Sequence, residues 1–444
     1  MLRLARIPYR FAGISGRLIL VALLLPIAAA AQDDVSGDVG EDVWEDDWED
    51  SGDATGWHGF VEAGLGSRLQ TDARLPQRNT LEELRWRIES NRTLGRAIVA
   101  LKADAGFDGI ESRGYVDIRD ATLSFTAGEA VDIKLGHQVQ TWGTGDLVFL
   151  NDLFPKDFVS FFAGRDDEYL KAPGSAIRLT RFGSVFGIDF VWTPVFEPDV
   201  YLTGERFSFF SPLAGENVAP RPPMSAIEPD RTFANGEFAV RAFRTVEGRE
   251  YALYGYRGFF KQPSALNRSL LPTFAPLSAW GASLRKPAGR GLLNAEFAYY
   301  DSRDDRDGAD PLIPNSQLRL LAGYEWEAAR NFTVGLQYSA EWTLDHDELL
   351  AGSLAPQFEP EEYRQILTSR FTYRSGRERY LWSLFTFLSP TDKDFYLRPQ
   401  FTLRYSDEWT YVFGGSLFGG DGGHTFFAQF EDASNVYLRA RYNY

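Results

Sequence analysis

The sequence predicts an all-β chain: a transmembrane antiparallel β-barrel of about 18 strands, with short turns at one rim and long loops at the other. Three observations lead there. Apolar and polar residues alternate with period two in segment after segment. Beyond the first thirty-odd residues, no stretch approaches the ~20 continuous apolar residues that a membrane helix needs. The links between the alternating segments are short and long in turn, the habit of closed membrane barrels.

Composition narrows the field before any element is placed. The 444 residues are 44% hydrophobic and 15% aromatic, enough for a large core. There is no cysteine, so disulfide staples, thiolate metal sites and cysteine nucleophiles are excluded. A formal charge of −16 argues against nucleic acid as a partner.

Residues 1–31 read as a signal peptide. Arg3, Arg6, Arg10 and Arg17 form a basic start, Leu18 to Ile27 an apolar centre, and Ala29-x-Ala31 a small-residue cleavage site. Residues 32–55 follow as a disordered acidic periplasmic tail, with 11 acids and no base between 33 and 53. Trp44 and Trp48 give that tail two anchors for a periplasmic partner; a solvated leader is the plainer reading. The barrel then occupies 56–444.

Strands are expected at 57–70, 80–91, 96–106, 113–126, 130–140, 174–182, 185–193, 236–245, 249–261, 278–286, 291–301, 315–327, 330–343, 363–374, 378–388, 394–406, 408–418 and 434–444. The clearest is the last: Val436, Leu438, Ala440, Tyr442 and Tyr444 alternate with Tyr437, Arg439, Arg441 and Asn443. A soluble sandwich alternates too, so pattern alone does not separate it from a barrel. The alternating link lengths do, and they place both termini at the short-turn rim. Sixteen strands is the alternative count, because Tyr115–Phe125 changes phase midway. Val116 and Ile118 face one way, Leu123 and Phe125 the other, which predicts a bulge between them.

On this facing, seventeen bases and eleven acids point inward. A basic lumen wall is expected from Arg85, Arg87, Lys102, Arg119, Lys134, Arg178, Arg241, Arg319, Arg398, Arg404, Arg439 and Arg441. Fixed positive charge lowers the barrier for anions in a narrow pore; the competing reading is that these residues pair across the lumen as structural ladders. The link 141–173, third of the long loops, holds Phe158, Phe161 and Phe162, an aromatic run that seeks burial. Folding inward would hide the rings and set Asp152, Lys156, Asp157, Arg165, Asp166, Asp167, Glu168 and Lys171 in the path as a constriction. An outer lid or protein contact is the rival.

Two stretches carry a family likeness. Gly136-x-Gln138-x-x-x-Trp142-Gly143 with the Asn151–Pro173 loop, and the ending Phe426–Tyr444, resemble uncharacterised porin-like proteins near the alginate-export-type family. A closing strand that ends on an aromatic residue resembles the assembly signal of Gram-negative outer-membrane barrels, here Val436, Leu438, Ala440, Tyr442 and Tyr444; most such proteins end in Phe. The resemblance implies the outer membrane of a Gram-negative bacterium, with outer-membrane lipid, lipopolysaccharide and the barrel-assembly machinery as partners. The acidic tail and the aromatic loop are not part of that likeness, so the family's polysaccharide cargo does not transfer.

The expected function is therefore a porin or channel for passive transport of small hydrophilic, anionic solutes. A gated exporter or transporter of a polysaccharide or hydrophobic compound is the alternative, and an outer-membrane hydrolase a more distant one. No catalytic residue, cofactor or metal site is assigned. His58, His137, His346 and His424 share no close spacing. Asp305-x-Asp307-Gly308 is a fragment of a calcium loop that lacks the leading Asp and the bidentate Glu. Oligomeric state is not readable from these patterns.

Overall fold

The computed structural model describes residues 56–444 apart from Glu129; the signal peptide and the acidic tail lie outside the described residues. Eighteen antiparallel strands form one closed sheet. In chain order they are His58–Arg68, Asn79–Leu94, Ala97–Asp108, Arg113–Ala127, Val131–Val139, Pro173–Phe182, Gly187–Thr193, Glu237–Val246, Arg249–Phe259, Pro276–Ala288, Gly291–Ser302, Gln317–Ala329, Phe332–Thr343, Tyr363–Ser375, Tyr380–Ser389, Asp394–Arg404, Trp409–Gly420 and Asn435–Asn443. Each pairs with its neighbours in sequence, and the first closes on the last through Phe60↔Asn443 to Arg68↔Asn435. All eighteen expected strands are present, so the sixteen-strand alternative falls.

Burial separates barrel from sandwich. Along the first strand Val61 and Leu65 are exposed while Glu62 between them is only 6% exposed. Leu84 and Trp86 are likewise exposed, and Arg85 and Arg87 buried at 3% and 2%. Apolar side chains outside and charged ones inside invert the order of a water-soluble protein, and only lipid outside makes that inversion stable.

Turn chemistry follows from the twist of the strands. Glu247 and Gly248 link two strands with φ of 51° and 72°, the mirror-image turn whose twist matches a tight hairpin. Lys102 of the third strand pairs with Asp120 of the fourth but Ala103 with Ile118, leaving Arg119 as the extra residue of a bulge in the fourth. The bulge lets Val116 and Leu123 both face outward, as the phase change in the sequence predicts. It also turns Arg119 inward, where it is 4% exposed.

The seam has its own clasp. Trp86 Nε1 donates to the Tyr444 hydroxyl at 2.6 Å, and that hydroxyl donates to the Arg87 carbonyl at 2.8 Å. Gly59 makes room: a Cβ there would lie 2.0 Å from the same carbonyl oxygen. On the last strand Val436, Leu438, Tyr442 and Tyr444 are exposed on the outer face. Ala440 shares the face but is covered at 9% exposure, paired between Ala63 and Tyr411.

Candidate functional site

The long connection between the fifth and sixth strands crosses the barrel interior in three legs. The first lies against the ninth to fourteenth strands. Trp142 packs edge-on against Phe154 at 5.0 Å and beside Tyr254 at 6.0 Å. Glu296 accepts hydrogen bonds from Gly145 N at 2.8 Å and Asn151 Nδ2 at 2.7 Å, and Tyr300 donates to the Leu150 carbonyl at 2.7 Å. Asp146 receives a bidentate pair from Arg370 at 2.5 and 2.7 Å. Lys156 is held by Asp152 at 2.9 Å, and both are buried.

The second leg is a short helix, Phe158–Ala163. Asp157 caps it, accepting from Ser160 N at 2.8 Å, and Gly164 ends it at φ +84°. Any Cβ on Gly164 would fall 2.2 Å from the Tyr437 ring, so the close approach needs glycine. The helix buries Phe161 and Phe162 in an aromatic cluster on the inner wall. Phe161 meets Tyr396 at 5.6 Å; Phe162 meets Phe418 at 5.4 Å and Phe430 at 5.0 Å, edge-on or tilted.

The third leg returns along the first four strands and the last three, and charge holds it. Arg165 donates to Glu83 at 2.8 Å and Asp108 at 3.2 Å. Asp166 bridges Arg439 at 3.3 Å and Arg441 at 3.2 Å, which also share Glu62. Asp167 pairs with Arg398 at 2.7 Å, and Glu168 with Arg87. Tyr169 donates to Asp104 at 2.7 Å while Arg85 stacks 3.7 Å over its ring and Arg119 4.7 Å over it. Arg119 also donates to the backbone carbonyls of Glu168 and Lys171 at 2.9 and 2.7 Å, and Lys171 reaches Thr141 Oγ1 at 2.5 Å. Burial alone would raise the Asp166 carboxyl, but Arg439 and Arg441 pull it well below the usual carboxylate range.

Most of the predicted wall is thus paired. Of its twelve bases, eleven have a carboxylate within salt-bridge distance among the described residues, as in Lys102–Glu89, Lys134–Asp120, Arg178–Asp189, Arg241–Glu250 and Arg319–Glu341. Arg119, with its two carbonyls, is the twelfth. Arg404 is a correction to the wall: it sits at the short-turn rim, half exposed, 3.9 Å from Glu378. Many of the partners sit on the adjoining strand, as in Arg178–Asp189 and Arg241–Glu250, while Arg398, Arg439 and Arg441 find theirs on the loop or across the closing seam.

Sequence reading also missed the link 194–235. Arg206 donates to the Thr80 carbonyl at 2.7 Å and pairs with Asp108, and Phe207, 1% exposed, packs on Phe162 at 6.4 Å. Its aromatic run Phe207, Phe209, Phe210 is the same signal that singled out 158–162. Asp199 in that link accepts from Lys156 N and Gln262 Nε2, both at 2.7 Å. Burial pushes its carboxyl up to about 6 despite Lys156 and Lys261 nearby. The histidines stay apart. His346 binds the Pro360 carbonyl at 2.9 Å, His424 touches Phe210 and Phe358, and His137 lies 3.1 Å from Ser175 Oγ.

No protein-family model and no curated relative matches the sequence. Solved structures do. A BenF-like porin from Pseudomonas fluorescens Pf-5 aligns with a TM-score of 0.52 at 9% identity, over 87% of this chain and 98% of that one. OccAB3 of Acinetobacter baumannii aligns at 0.50 with 12% identity, over 87% and 98%. OccK11 (OpdR) of Pseudomonas aeruginosa aligns at 0.50 with 10% identity, over 87% and 95%. At such identities the likeness is one of architecture, and it agrees with the register and burial: this chain has the fold of the porin-like β-barrels.

Proposed function

We propose that the chain is an outer-membrane channel of a Gram-negative bacterium for small hydrophilic solutes, narrowed by the 141–173 segment, with anions favoured over cations. The observation that carries this reading is the closed barrel with a charged interior crossed by a loop clipped to its wall. The buried Asp152, Lys156, Asp157, Arg165 and Lys171 anchor that loop, and the less buried Asp166, Asp167 and Glu168 are its acids nearest the passage. The porin-like architecture supports a channel; the alginate-export-type likeness rests on the quoted motifs alone.

Support for anion preference comes from which element supplies each charge. Around the third leg the strands contribute seven bases: Arg85, Arg87, Lys102, Arg119, Arg398, Arg439 and Arg441. Their strand-borne carboxylate partners are four: Glu62, Glu83, Glu89 and Asp104. The loop's Asp166, Asp167 and Glu168 make up the difference. The strands by themselves therefore carry an excess of positive charge at this level, and the loop's three acids lie against it.

Single-channel conductance of the refolded barrel in a planar bilayer tests both parts. Steady steps with an anion-directed reversal potential are expected. A cation-directed reversal potential would remove the selectivity, and a silent barrel would remove passive diffusion in favour of a gated transporter.

A further inference from the structure

The lipid-facing wall carries a groove that transport through the lumen does not use. It crosses the thirteenth to eighteenth strands and has a volume of about 480 Å³. A proline opens it. Pro399 lies midway along the sixteenth strand of a closed sheet, where a residue without an N–H leaves a gap in the ladder. Toward the seventeenth strand Leu397 pairs with Leu417 and Gln400 with Gly414, and the two positions between are skipped. Gly415 stands opposite Pro399, so neither strand raises a bulky side chain there. Larger residues flank this floor. Phe332, Tyr373, Trp382, Phe401 and Phe413 form one row, each paired with the next across five strands. The rings of Trp382 and Phe401 lie 4.3 Å apart.

The groove runs obliquely, from Phe332, first residue of its strand at the short-turn rim, up to Val436 on the last strand. Neighbouring strands lie ~4.8 Å apart, so crossing from the thirteenth to the eighteenth takes roughly 24 Å. Barrel strands tilt by ~40°, so that path climbs about 15 Å, half of the ~30 Å hydrocarbon core. This is the depth of one leaflet, the periplasmic one. The mouth is basic. Arg330 precedes Phe332 in one short turn, and Arg377 and Arg379 lie in the next. Arg374 N donates to the Asn331 carbonyl at 2.9 Å, which holds the two turns side by side. Arg330, Arg377 and Arg379 are exposed, and none has a carboxylate within salt-bridge distance among the described residues. The acids nearby are engaged: Glu378 faces Arg404 at 3.9 Å, and Glu327 accepts from Asn331 N at 2.9 Å. Asp407 and Glu408 lie one turn further on, beneath strands where the groove has already climbed away from the rim.

We propose that the groove holds one acyl chain of an anionic phospholipid from the periplasmic leaflet, with its phosphate on Arg330, Arg377 and Arg379. A chain lying in a recess touches wall on three sides and gains dispersion contacts that a chain against a convex wall lacks. The phosphate gains charge-assisted hydrogen bonds from guanidiniums that have no carboxylate of their own. Tyr373 and Trp382, both exposed beside the mouth, are residues that settle at headgroup depth. The site joins an apolar slot of one leaflet's depth to a basic mouth at that leaflet's surface, and a phospholipid has both parts.

Native mass spectrometry of the refolded full chain in nonionic micelles, with phosphatidylglycerol or phosphatidylcholine added at equal concentration, tests this. One phosphatidylglycerol adduct should outlast all others as collision energy rises, and phosphatidylcholine should leave none. Each arginine beside an anionic head contributes roughly a fivefold factor, so Arg377→Gln combined with Arg379→Gln should weaken that adduct by about 25-fold. Leu384→Trp should abolish it, because Leu384 faces lipid, pairs with Pro399 and would cover the floor when enlarged. Leu336→Trp, equally lipid-facing but outside the groove, should leave it unchanged. These substitutions point to lipid or water, so the heat-modifiable gel shift should persist and show that the barrel is intact. No lasting adduct, equal adducts with the two lipids, or an adduct that either groove variant leaves intact would overturn the proposal. So would a dimer or trimer of the parent that Leu384→Trp dissociates, which would give the groove to a second copy of the chain.

Discussion

Replacing Asp166 with Asn tests the charge clip that holds the loop to the wall. Asp166 receives one charge-assisted bond from Arg439 and one from Arg441. Such bonds contribute roughly 1.5–3 kcal/mol each when dry. Two facts reduce the sum: Asp166 is 34% exposed, and Glu62 still pairs both guanidiniums after the change. About 2 kcal/mol of docking free energy remains at stake. At 1.4 kcal/mol per tenfold, that shifts the docked-to-undocked ratio by roughly 30-fold. Single-channel recording should show more frequent or longer high-conductance events, with the reversal potential moved further toward anions by the lost negative charge. Acid should imitate the variant. The carboxyl is held below the ordinary aspartate value of 3.8, so its contribution is complete above that pH and fades as pH falls toward the folded value. Unchanged conductance, open probability and selectivity, in a variant that still shows the heat-modifiable gel shift of a closed barrel, would refute the clip.

Two further outcomes follow from the seam and the upper links. Tyr444→Phe removes the hydroxyl that accepts from Trp86 and donates to the Arg87 carbonyl, a loss of about 1–3 kcal/mol; the temperature of the gel shift should fall by several degrees, and an unmoved midpoint would mean water replaces the hydroxyl. Asp199 titrates near 6 when folded against 3.8 when exposed, so the folded form holds more protons between those values and stability falls as pH rises through that window, by at most about 3 kcal/mol. With the base-catalysed rise in intrinsic exchange divided out, protection at Lys156–Asp157 should therefore fall from pH 4 to pH 6 in the parent and stay level in Asp199→Asn; equal slopes would place the titration elsewhere.

The strands were legible because a strand's faces are set by local alternation. Val436, Leu438 and Tyr442 against Arg439 and Arg441 needed no knowledge of their neighbours, and the phase change around Arg119 gave away even the bulge. The number and order of strands followed from link lengths, since antiparallel hairpins are closed by neighbours in the chain. Charge balance was not legible in that way. Arg439 meets Glu62 from the far end of the sequence and Asp166 from a loop, and Arg398 meets Asp167 across the interior. Those pairs exist only once the barrel has closed and brought its first and last strands together. The aromatic run at Phe158–Phe162 announced that it would be buried, but the surface that receives it is assembled from Tyr396, Phe418 and Phe430, which no local pattern joins. By itself the sequence determined the barrel and its two faces, because alternation acts between adjacent residues. The tertiary structure alone decided which charges pair with which inside it, because Coulomb pairing acts through space.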